Sequence, residues 1–589
     1  MRYRWSLLPA HPARADDLAR QAQVSPLLAQ CLLNRGFAAV EAARAFLQPR
    51  LKDLADPFAV PGMDAAVARL FQARERGERV TIFGDYDVDG VTATALLHEV
   101  LRALGWPVDC YLPHRLDEGY GLSRDGIENC LRRFPATLLL AVDCGSTAVD
   151  AIAWLRQQGV DVIVLDHHQM PAPAPAAAAL VNPRARRLAA PAGPEPQLED
   201  APGRNGPSDF TELCSAGLAF KLAHALVKRG RETGLPGADR FDLRPLLDLV
   251  ALGTVADIVP LVGENRVLVA AGLARLNTTR RPGLVALKQV AQTPPSLGAY
   301  EVGFQLGPRL NAAGRLQTAE DALRLLQADE LAAATPLAQR LDARNRERQK
   351  IERGILDEAV AAIRPGFRPE ADFVIVQARP HWHLGVVGIV ASRVLQQFYR
   401  PTLILGREEG EWRGSGRSIP GFDLAAALRE CGDLLVRHGG HALAAGLALR
   451  AENLAPLRER LNLLARRALT PEALQPALRL EAAVRLGDLT LDTLAELDRL
   501  EPTGQGNPPV RLLARNLRLR RPVQWLGPEQ CHAKLWVADD SATHEAVWWN
   551  VGDQPLPTET FDLAFAPQLN CYQGRPMVQL KVLAWRPAG

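Results

Sequence analysis

The sequence predicts an α/β protein with three structured regions: a parallel sheet covered on both faces, a smaller α/β unit beyond a long helix, and a C-terminal small barrel or sandwich. Three observations carry that prediction. From Arg79 onward, apolar strands alternate with helical patterns of roughly 10–15 residues, the signature of parallel βαβ units. Residues 341–363, LDARNRERQKIERGILDEAVAAI, read as one highly charged helix. After Thr470 the alternation gives way to short strand-like segments separated by turns, as in a small barrel or sandwich.

Taken in order, residues 1–75 read as short helices, with apolar positions at helical spacing in SPLLAQCLLNRGFAAVEAARAFL. The first unit, 76–330, opens with the strand RVTIF, the helix VTATALLHEVLRAL and the strand VDCYL. It continues with the helix RDGIENCLRRF, the strand TLLLAV, the helix TAVDAIAWLRQQG and the strand DVIVL. Residues 171–208 interrupt this pattern with nine prolines and repeated alanine, and read as a disordered surface insertion. Helical patterns return from about 209. A helix over 331–365, either a connector between domains or a solvated surface helix within one, leads to a second α/β unit, 366–468, marked by DFVIVQ, GVVGIVASRVLQQF and PTLIL. The last region, 469–589, contains ARNLRLRRPVQWLG, HAKLWVADD, HEAVWWN and PMVQLKVLAWRP. No internal repeat is evident.

Composition narrows the class. The chain has 589 residues, length for about three or four domains. With 47% hydrophobic and 23% charged residues it is globular in character, not disordered. Its formal net charge of +3 argues neither for nor against a polyanionic partner. Among 69 basic residues only seven are lysine, although heavy use of alanine, leucine and proline makes coding bias the simple explanation. Eight cysteines form no CxxC pair, which excludes a zinc cassette or disulfide framework and implies a reducing compartment. The N-terminal apolar stretch is too short for a signal sequence, and no run of 18 or more apolar residues would span a bilayer. The expectation is a soluble cytoplasmic protein with no membrane contact.

Four clusters carry chemistry. Asp85, Asp87 and Asp89 follow the first strand in GDYDVDG; Asp143 ends TLLLAV; Asp166, His167 and His168 end DVIVL; and Asp257 follows an apolar segment in ALGTVADIVPL. Ligands of an open parallel sheet bind beyond the carboxyl ends of its strands, so three strands deliver acids and imidazoles to one edge. So many carboxylates cannot stay ionised together without cations between them. A pair of divalent metals satisfies the electrostatics and supplies a hydrolytic catalyst. DYDVDG also matches the start of a calcium-binding EF-hand loop, but Leu96 stands where a bidentate glutamate is required and a strand precedes it. Taken singly, Asp143 reads as a helix N-cap and the two histidines as core residues; it is their joint placement that is specific. No GxGxxG follows the first strand, which excludes a Rossmann dehydrogenase. No serine has the surroundings of an activated nucleophile.

These clusters, in this order, resemble the DHH phosphoesterase superfamily and, within it, the RecJ branch of single-strand-specific exonucleases. PHRLDEGYGLS (113–123), GFQLGPRLNAAGR (303–315), HLGVVGIVASR (383–393), GSGRS (414–418) and GGHALAAG (439–446) are similar to RecJ motifs. EPTGQGNPP (501–509) is similar to the start of that family's oligonucleotide-binding (OB) fold. The resemblance implies a DHH parallel-sheet domain, a smaller DHHA1 domain joined to it by the long helix, and a C-terminal OB-fold-like barrel. It implies that Asp87, Asp89, Asp143, His167 and Asp257 ligate metal while Asp85, Asp166 and His168 complete the catalytic set and orient ligands. The cofactors implied are two Mn²⁺ or Mg²⁺ ions, the histidine tilting the choice toward manganese.

Phosphate binding is expected from Arg115, Arg309, Asn311 and Arg315, from Ser415 and Arg417 in the glycine-rich GSGRS, and from His383 and His441. An ordinary turn at GSGRS and structural histidines are the plainer alternatives. In the last region Arg518 and Arg520 share a strand face, as a track for a nucleic-acid backbone requires, or as a solvated barrel face would show equally. Trp525, Trp536, Trp548 and Trp549 either stack bases or fill the barrel core. The function implied is 5′→3′ hydrolysis of single-stranded DNA to mononucleotides in recombinational, base-excision and mismatch repair. Single-strand-binding protein and a RecQ-type helicase are the implied partners, in the nucleoid of a bacterial cytoplasm. Two other readings stand beside it. One is a DHH phosphodiesterase for short oligonucleotides or cyclic dinucleotides, which the C-terminal barrel disfavours. The other is a non-catalytic DHH-type DNA-binding scaffold, which the intact acidic clusters disfavour.

Overall fold

A computed structural model describes residues 3–115, 117–119, 121–185, 210–527, 529–552, 554–572 and 575–588. The chain divides into two compact units, Leu7–Asp342 with Leu480–Gly589, and Met1–Ser6 with Ala343–Arg479. The division falls within the charged helix, which runs without a break from Leu331 to Ile363.

A short strand β1 (Arg4–Leu7) precedes helices Pro12–Ala22, Pro26–Asn34, Val40–Leu47 and Met63–Glu75, as the helical spacing over 1–75 predicts. The second of these starts where its sequence says: Ser25 accepts a hydrogen bond from Leu28 N–H, and Pro26 occupies the first turn. Next comes an all-parallel sheet of β2 (Val80–Phe83), β3 (Val108–Tyr111), β4 (Leu138–Val142), β5 (Asp161–Leu165) and β6 (Ala179–Val181). Its strand order is β3-β2-β4-β5-β6. Every residue of β2 and β4 is buried, because both faces of the sheet are covered. Ile82, Leu140, Val142 and Leu165 join the core under the larger helical layer. Phe83, Leu139, Ala141 and Val164 pack on the other face with Ile127, Ile152 and Leu155. The chain leaves β2 toward one neighbour and returns to β4 on the opposite side, so the switch point lies at the carboxyl ends of β2 and β4.

β6 corrects one expectation. It lies inside the stretch read as a disordered insertion, yet Ala179, Leu180 and Val181 pair with Ile163, Val164 and Leu165. Three residues suffice for an edge strand, and the prolines stand outside it, where no ladder donor is needed. Residues 186–208 of that expected insertion lie outside the described residues.

In the other unit, β7 (Ile375–Ala378), helix Leu384–Phe398, β8 (Thr402–Glu408), β9 (Glu411–Arg417), β10 (Leu435–His441) and β11 (Ala444–Leu449) make a mixed sheet of order β10-β11-β9-β8-β7. Only β7 and β8 run parallel in it. β12 (Ala477–Leu480) pairs with β1.

The C-terminal region contains β13 (Ala482–Ala483), β14 (Leu512–Leu519), β15 (Gln524–Leu526), β16 (His532–Ala538), β17 (Thr543–Trp548), β18 (Phe561–Tyr572) and β19 (Arg575–Pro587). Strands β14, β18, β19, β17 and β16 follow one another around a barrel, which closes where β16 pairs back on β14. Trp548 is buried in the barrel core, whereas Trp525 and Trp549 are exposed. Trp536 lies between these extremes, with Arg521 5.3 Å from its ring centroid. Arg518 and Arg520 are exposed. Leu497 and Leu500, just ahead of β14, complete the core of the first three helices.

Candidate metal centre

The acids meet because four elements end together. Asp87 caps helix Val88–Ala103, its carboxylate accepting from Asp89 N–H at 2.9 Å and Gly90 N–H at 3.1 Å. Asp85 is buried, and its Oδ1 has no hydrogen-bond partner among the described residues. Asp89 receives Ser215 N–H at 2.7 Å and Ala216 N–H at 2.8 Å from the start of helix Ser215–Thr233. Asp143 follows β4 with φ +63°, so it is a strained turn residue and not the N-cap its position suggested. Its Oδ1 accepts from Ser215 Oγ at 2.9 Å. Asp257 ends helix Leu247–Ala256. That helix approaches closely only because residue 253 is glycine: a Cβ there would lie 2.5 Å from Thr92 Oγ1 and 2.9 Å from Asp89 Oδ1.

His167 sits among these carboxylates. Its Nε2 is 3.4 Å from Asp143, 3.5 Å from Asp257 and 3.8 Å from Asp89, and is buried without a hydrogen-bond partner among the described residues. Asp166 plays a different part. It accepts from Ser146 N–H at 3.0 Å and His167 N–H at 2.8 Å, and lies 2.7 Å from His168 Nδ1.

The electrostatics follow this geometry. Burial, reinforced by Asp87, pushes Asp89 up to about 6 and Asp85 well above the ordinary carboxylate range. Burial with Asp89 and Asp87 nearby takes Asp257 up to about 9, and Asp143 is likewise held far above its usual value. Burial, then the charge of His168, brings His167 down to about 3. Asp166 goes the other way: burial opposes its ionisation, but the hydrogen bond and charge of His168 overcome that and hold it low. Left to themselves, Asp85, Asp143 and Asp257 would tend to hold protons and His167 would be neutral.

Such a constellation fits divalent cations. Three groups, Asp85–Asp87–Asp143, Asp89–His167–Asp257 and Asp143–Asp166–His167–His168, each offer ligand atoms within 4.8 Å of one another. The orphaned Oδ1 of Asp85 and Nε2 of His167 are unused donors turned into the cluster. An oxygen-rich set with one imidazole suits Mg²⁺ or Mn²⁺. The five expected ligands, Asp87, Asp89, Asp143, His167 and Asp257, are thus brought together with Asp85. Asp166 and His168 stand behind them.

The expected phosphate ligands fall into separate places. Arg115 lies 5.1 Å from the Tyr86 ring centroid at the edge of the cluster. Arg315 is near enough to influence Tyr86, and Gly314 abuts the Tyr86 carbonyl. Asn311 is turned to the protein, its Oδ1 accepting from Val88 N–H at 3.1 Å and so fixing the start of the helix that carries Asp89. Arg309 points to the long helix, bonded to Asp342 at 2.9 Å and to Gln305 O at 2.6 Å.

Within the other unit, Ser415 pairs with Gly446, which pairs with Gly439, while Arg417 pairs with Ala444, which pairs with His441. Directly paired residues share a face, so Ser415, Arg417 and His441 line one face with only small residues between them. Arg417 donates to Ser415 Oγ at 2.7 Å, and Gly388 of helix Leu384–Phe398 lies against both. His383 caps that helix, its Nδ1 accepting from Gly385 N–H at 3.1 Å.

Three residues were not anticipated. Ser215 holds Asp143 and Asp89; Ser146 holds Asp166; and Asn182, fully buried, donates to Ser146 Oγ and to His168 O, both at 2.9 Å. None lies in an acidic motif. The one available signal was that Ser215 opens a helix, where N–H groups favour an anion.

Comparison with known proteins gives three family-model matches: the DHH family N-terminal domain over residues 79–254, the DHHA1 domain over 371–467 and the RecJ OB domain over 480–584. The single-stranded-DNA-specific exonuclease RecJ of Bacillus subtilis (strain 168) is 37% identical, over 98% of this chain and 70% of its own length. The protein of the same name from Escherichia coli (strain K12) is 35% identical over 82% of each. The crystal structure of RecJ from Thermus thermophilus in complex with Mn²⁺ superimposes with a TM-score of 0.82 at 32% identity, covering 100% of this chain and 80% of that one. The Mg²⁺ complex of that protein gives 0.76 at 31% identity, covering 100% of this chain and 79% of that one.

Proposed function

This chain belongs to the RecJ family of single-stranded-DNA-specific exonucleases, and from that premise we propose that it removes mononucleotides from single-stranded DNA in the 5′→3′ direction. The observation that carries the metal-dependent reading is His167 Nε2, buried without a hydrogen bond among three carboxylates. A cation held between these groups takes up the lone pair of His167 and the negative charge of the carboxylates together.

Asp87, Asp89, Asp143, His167 and Asp257 would hold the cations, with Asp85 beside them. Two divalent cations held there supply a lowered pKa for the attacking water and charge stabilisation at the attacked phosphate. The rest is done by the chain. Ser215 fixes Asp143 and Asp89, while Asp166 orients His168 and the backbone of His167. Arg115 and Arg315 meet phosphate at the edge of the cluster. Ser415, Arg417 and His441 offer a second set of phosphate donors in their own unit, on a sheet face with only small residues between them. Capture of a terminal phosphate by Arg115 and Arg315, beside the cluster, gives the reaction its direction. Arg518 and Arg520 track the strand backbone on the barrel.

The strand must be exposed before it is degraded, which supports a single-strand-binding protein and a RecQ-type helicase as partners. It also supports work in recombinational, base-excision and mismatch repair at the nucleoid of a bacterial cytoplasm. Among the described residues no helix is long and apolar enough to cross a membrane.

The test is single-stranded DNA labelled at either end and incubated with Mn²⁺ or with a chelator. Labelled mononucleotide should appear first from the 5′ label, and only with metal. First release from the 3′ label would overturn the direction, and no release from either end would overturn the activity.

A further inference from the structure

The three most exposed large apolar side chains on the described surface lie on the two segments beside Asp257. They are Ile258, Phe304 and Tyr300, at 70%, 68% and 63% exposure. Ile258 directly follows Asp257 and has φ +60°, a costly conformation for a β-branched residue. Its side chain gains no burial in return.

Tyr300 and Phe304 stack on each other with ring centroids 4.8 Å apart and planes 29° apart. Glu301 fastens the start of their segment through Gly298 N–H at 2.8 Å. Residues Val302–Leu306 then form a π-helical turn, whose ends Val302 and Leu306 are anchored in the core. A turn of that kind re-aims side chains and is frequent at functional sites.

The segment lies along the end of the helix that presents Asp257. A Cβ on Gly303 would lie 3.8 Å from Val255, and one on Gly307 would lie 3.6 Å from Ala256. Farther along, the same segment reaches the metal-ligand cluster itself through Asn311 and Gly314. Two stacked rings and a strained isoleucine therefore stand open to solvent next to a metal ligand. Apolar surface kept open at a reactive site marks a binding surface.

We propose that Ile258, Tyr300 and Phe304 form a base-stacking platform that positions the nucleotides adjoining the scissile phosphate; this rests on the single-strand exonuclease reading above. Nucleobases are the occupant because the platform adjoins the residues that would hold the reacting phosphate, and every base offers a flat apolar face. Stacking on aromatic rings grips a strand without selecting its sequence, as an exonuclease requires. The three are positioning residues and touch no reacting atom.

The experiment compares wild type with Tyr300→Ala/Phe304→Ala and with Phe304→Trp in Mn²⁺. The substrates are an oligothymidylate and the same strand with abasic sites next to its 5′ nucleotide. For wild type, KM should rise about tenfold or more on the abasic strand. The double variant should show a similar rise in KM on the intact strand, a much smaller fall in kcat, and no further penalty from abasic sites. Phe304→Trp, which keeps an aromatic face, should retain the wild-type KM. An unchanged KM in the double variant, or a full abasic penalty retained by it, would overturn the platform. So would a change of oligomeric state in the double variant, which would make the rings a contact between copies. If wild type itself hydrolyses neither strand, it is the exonuclease reading that fails.

Discussion

Ser215 Oγ donates a hydrogen bond to Asp143 Oδ1 at 2.9 Å, and the backbone N–H of the same serine reaches Asp89 at 2.7 Å. One residue at a helix start thus fixes two carboxylates, one just past a strand and one in the first turn of another helix. Ser215→Ala keeps the backbone bond and loses the other, freeing Asp143 to rotate. Mn²⁺ affinity or activity should fall by about 10–100-fold, the usual cost of losing support behind a metal ligand. Calorimetric titration with Mn²⁺ measures it, and wild-type affinity would show that Asp143 needs no such support.

Gly253 has a comparable part through its lack of a side chain. Gly253→Ala places a methyl group against Thr92, Ala216 and Asp89 Oδ1, all of them on rigid elements. The helix must retreat and take Asp257 with it. Activity should drop by about a hundredfold or more, since small displacements of positioned groups have effects of that order. Far-ultraviolet circular dichroism should stay close to wild type.

Much of this was legible in the sequence, for physical reasons. β2, β4 and β5 read as mainly apolar runs because both faces of their sheet are buried, and the acids stand out because they follow those runs. Ser215 was invisible because its bond to Asp143 spans 72 positions and obeys no period. β6 was hidden by the prolines and alanines around a three-residue edge strand. The ion pair of Arg309 with Asp342, 33 positions away on another helix, was hidden for the same reason as the Ser215 bond.

Arg266 gives a prediction about assembly. It is 2% exposed and donates to the carbonyls of Phe46, Arg499, Leu500, Glu501 and Pro502, with its guanidinium 3.8 Å from the Phe46 ring centroid. It therefore clips the first helices and the segment before the barrel onto the parallel-sheet domain. Arg266→Met leaves several buried carbonyls without a donor and should destabilise the fold by on the order of 3 kcal/mol. A melting temperature equal to that of wild type would show that the clip is dispensable.

The crowded acids predict a stabilising effect of metal. Carboxylates that burial and mutual repulsion hold far above their ordinary values gain from cations that bind only the folded chain. Mn²⁺ at about a hundred times its dissociation constant should add roughly 2.7 kcal/mol of stability. Thermal unfolding with Mn²⁺ against chelator checks this, and equal melting points would show that the folded cluster binds no Mn²⁺.

On the function proposed above, the buried aspartate–histidine cluster is the metal centre that hydrolyses single-stranded DNA. Asp143→Ala tests it most directly, with Mn²⁺-dependent release of mononucleotide and affinity for the same labelled strand measured side by side. The variant should lose hydrolysis by at least about a thousandfold, or about 4 kcal/mol, while binding the strand within a few-fold of wild type. Hydrolysis at the wild-type rate would place the chemistry elsewhere and contradict the account.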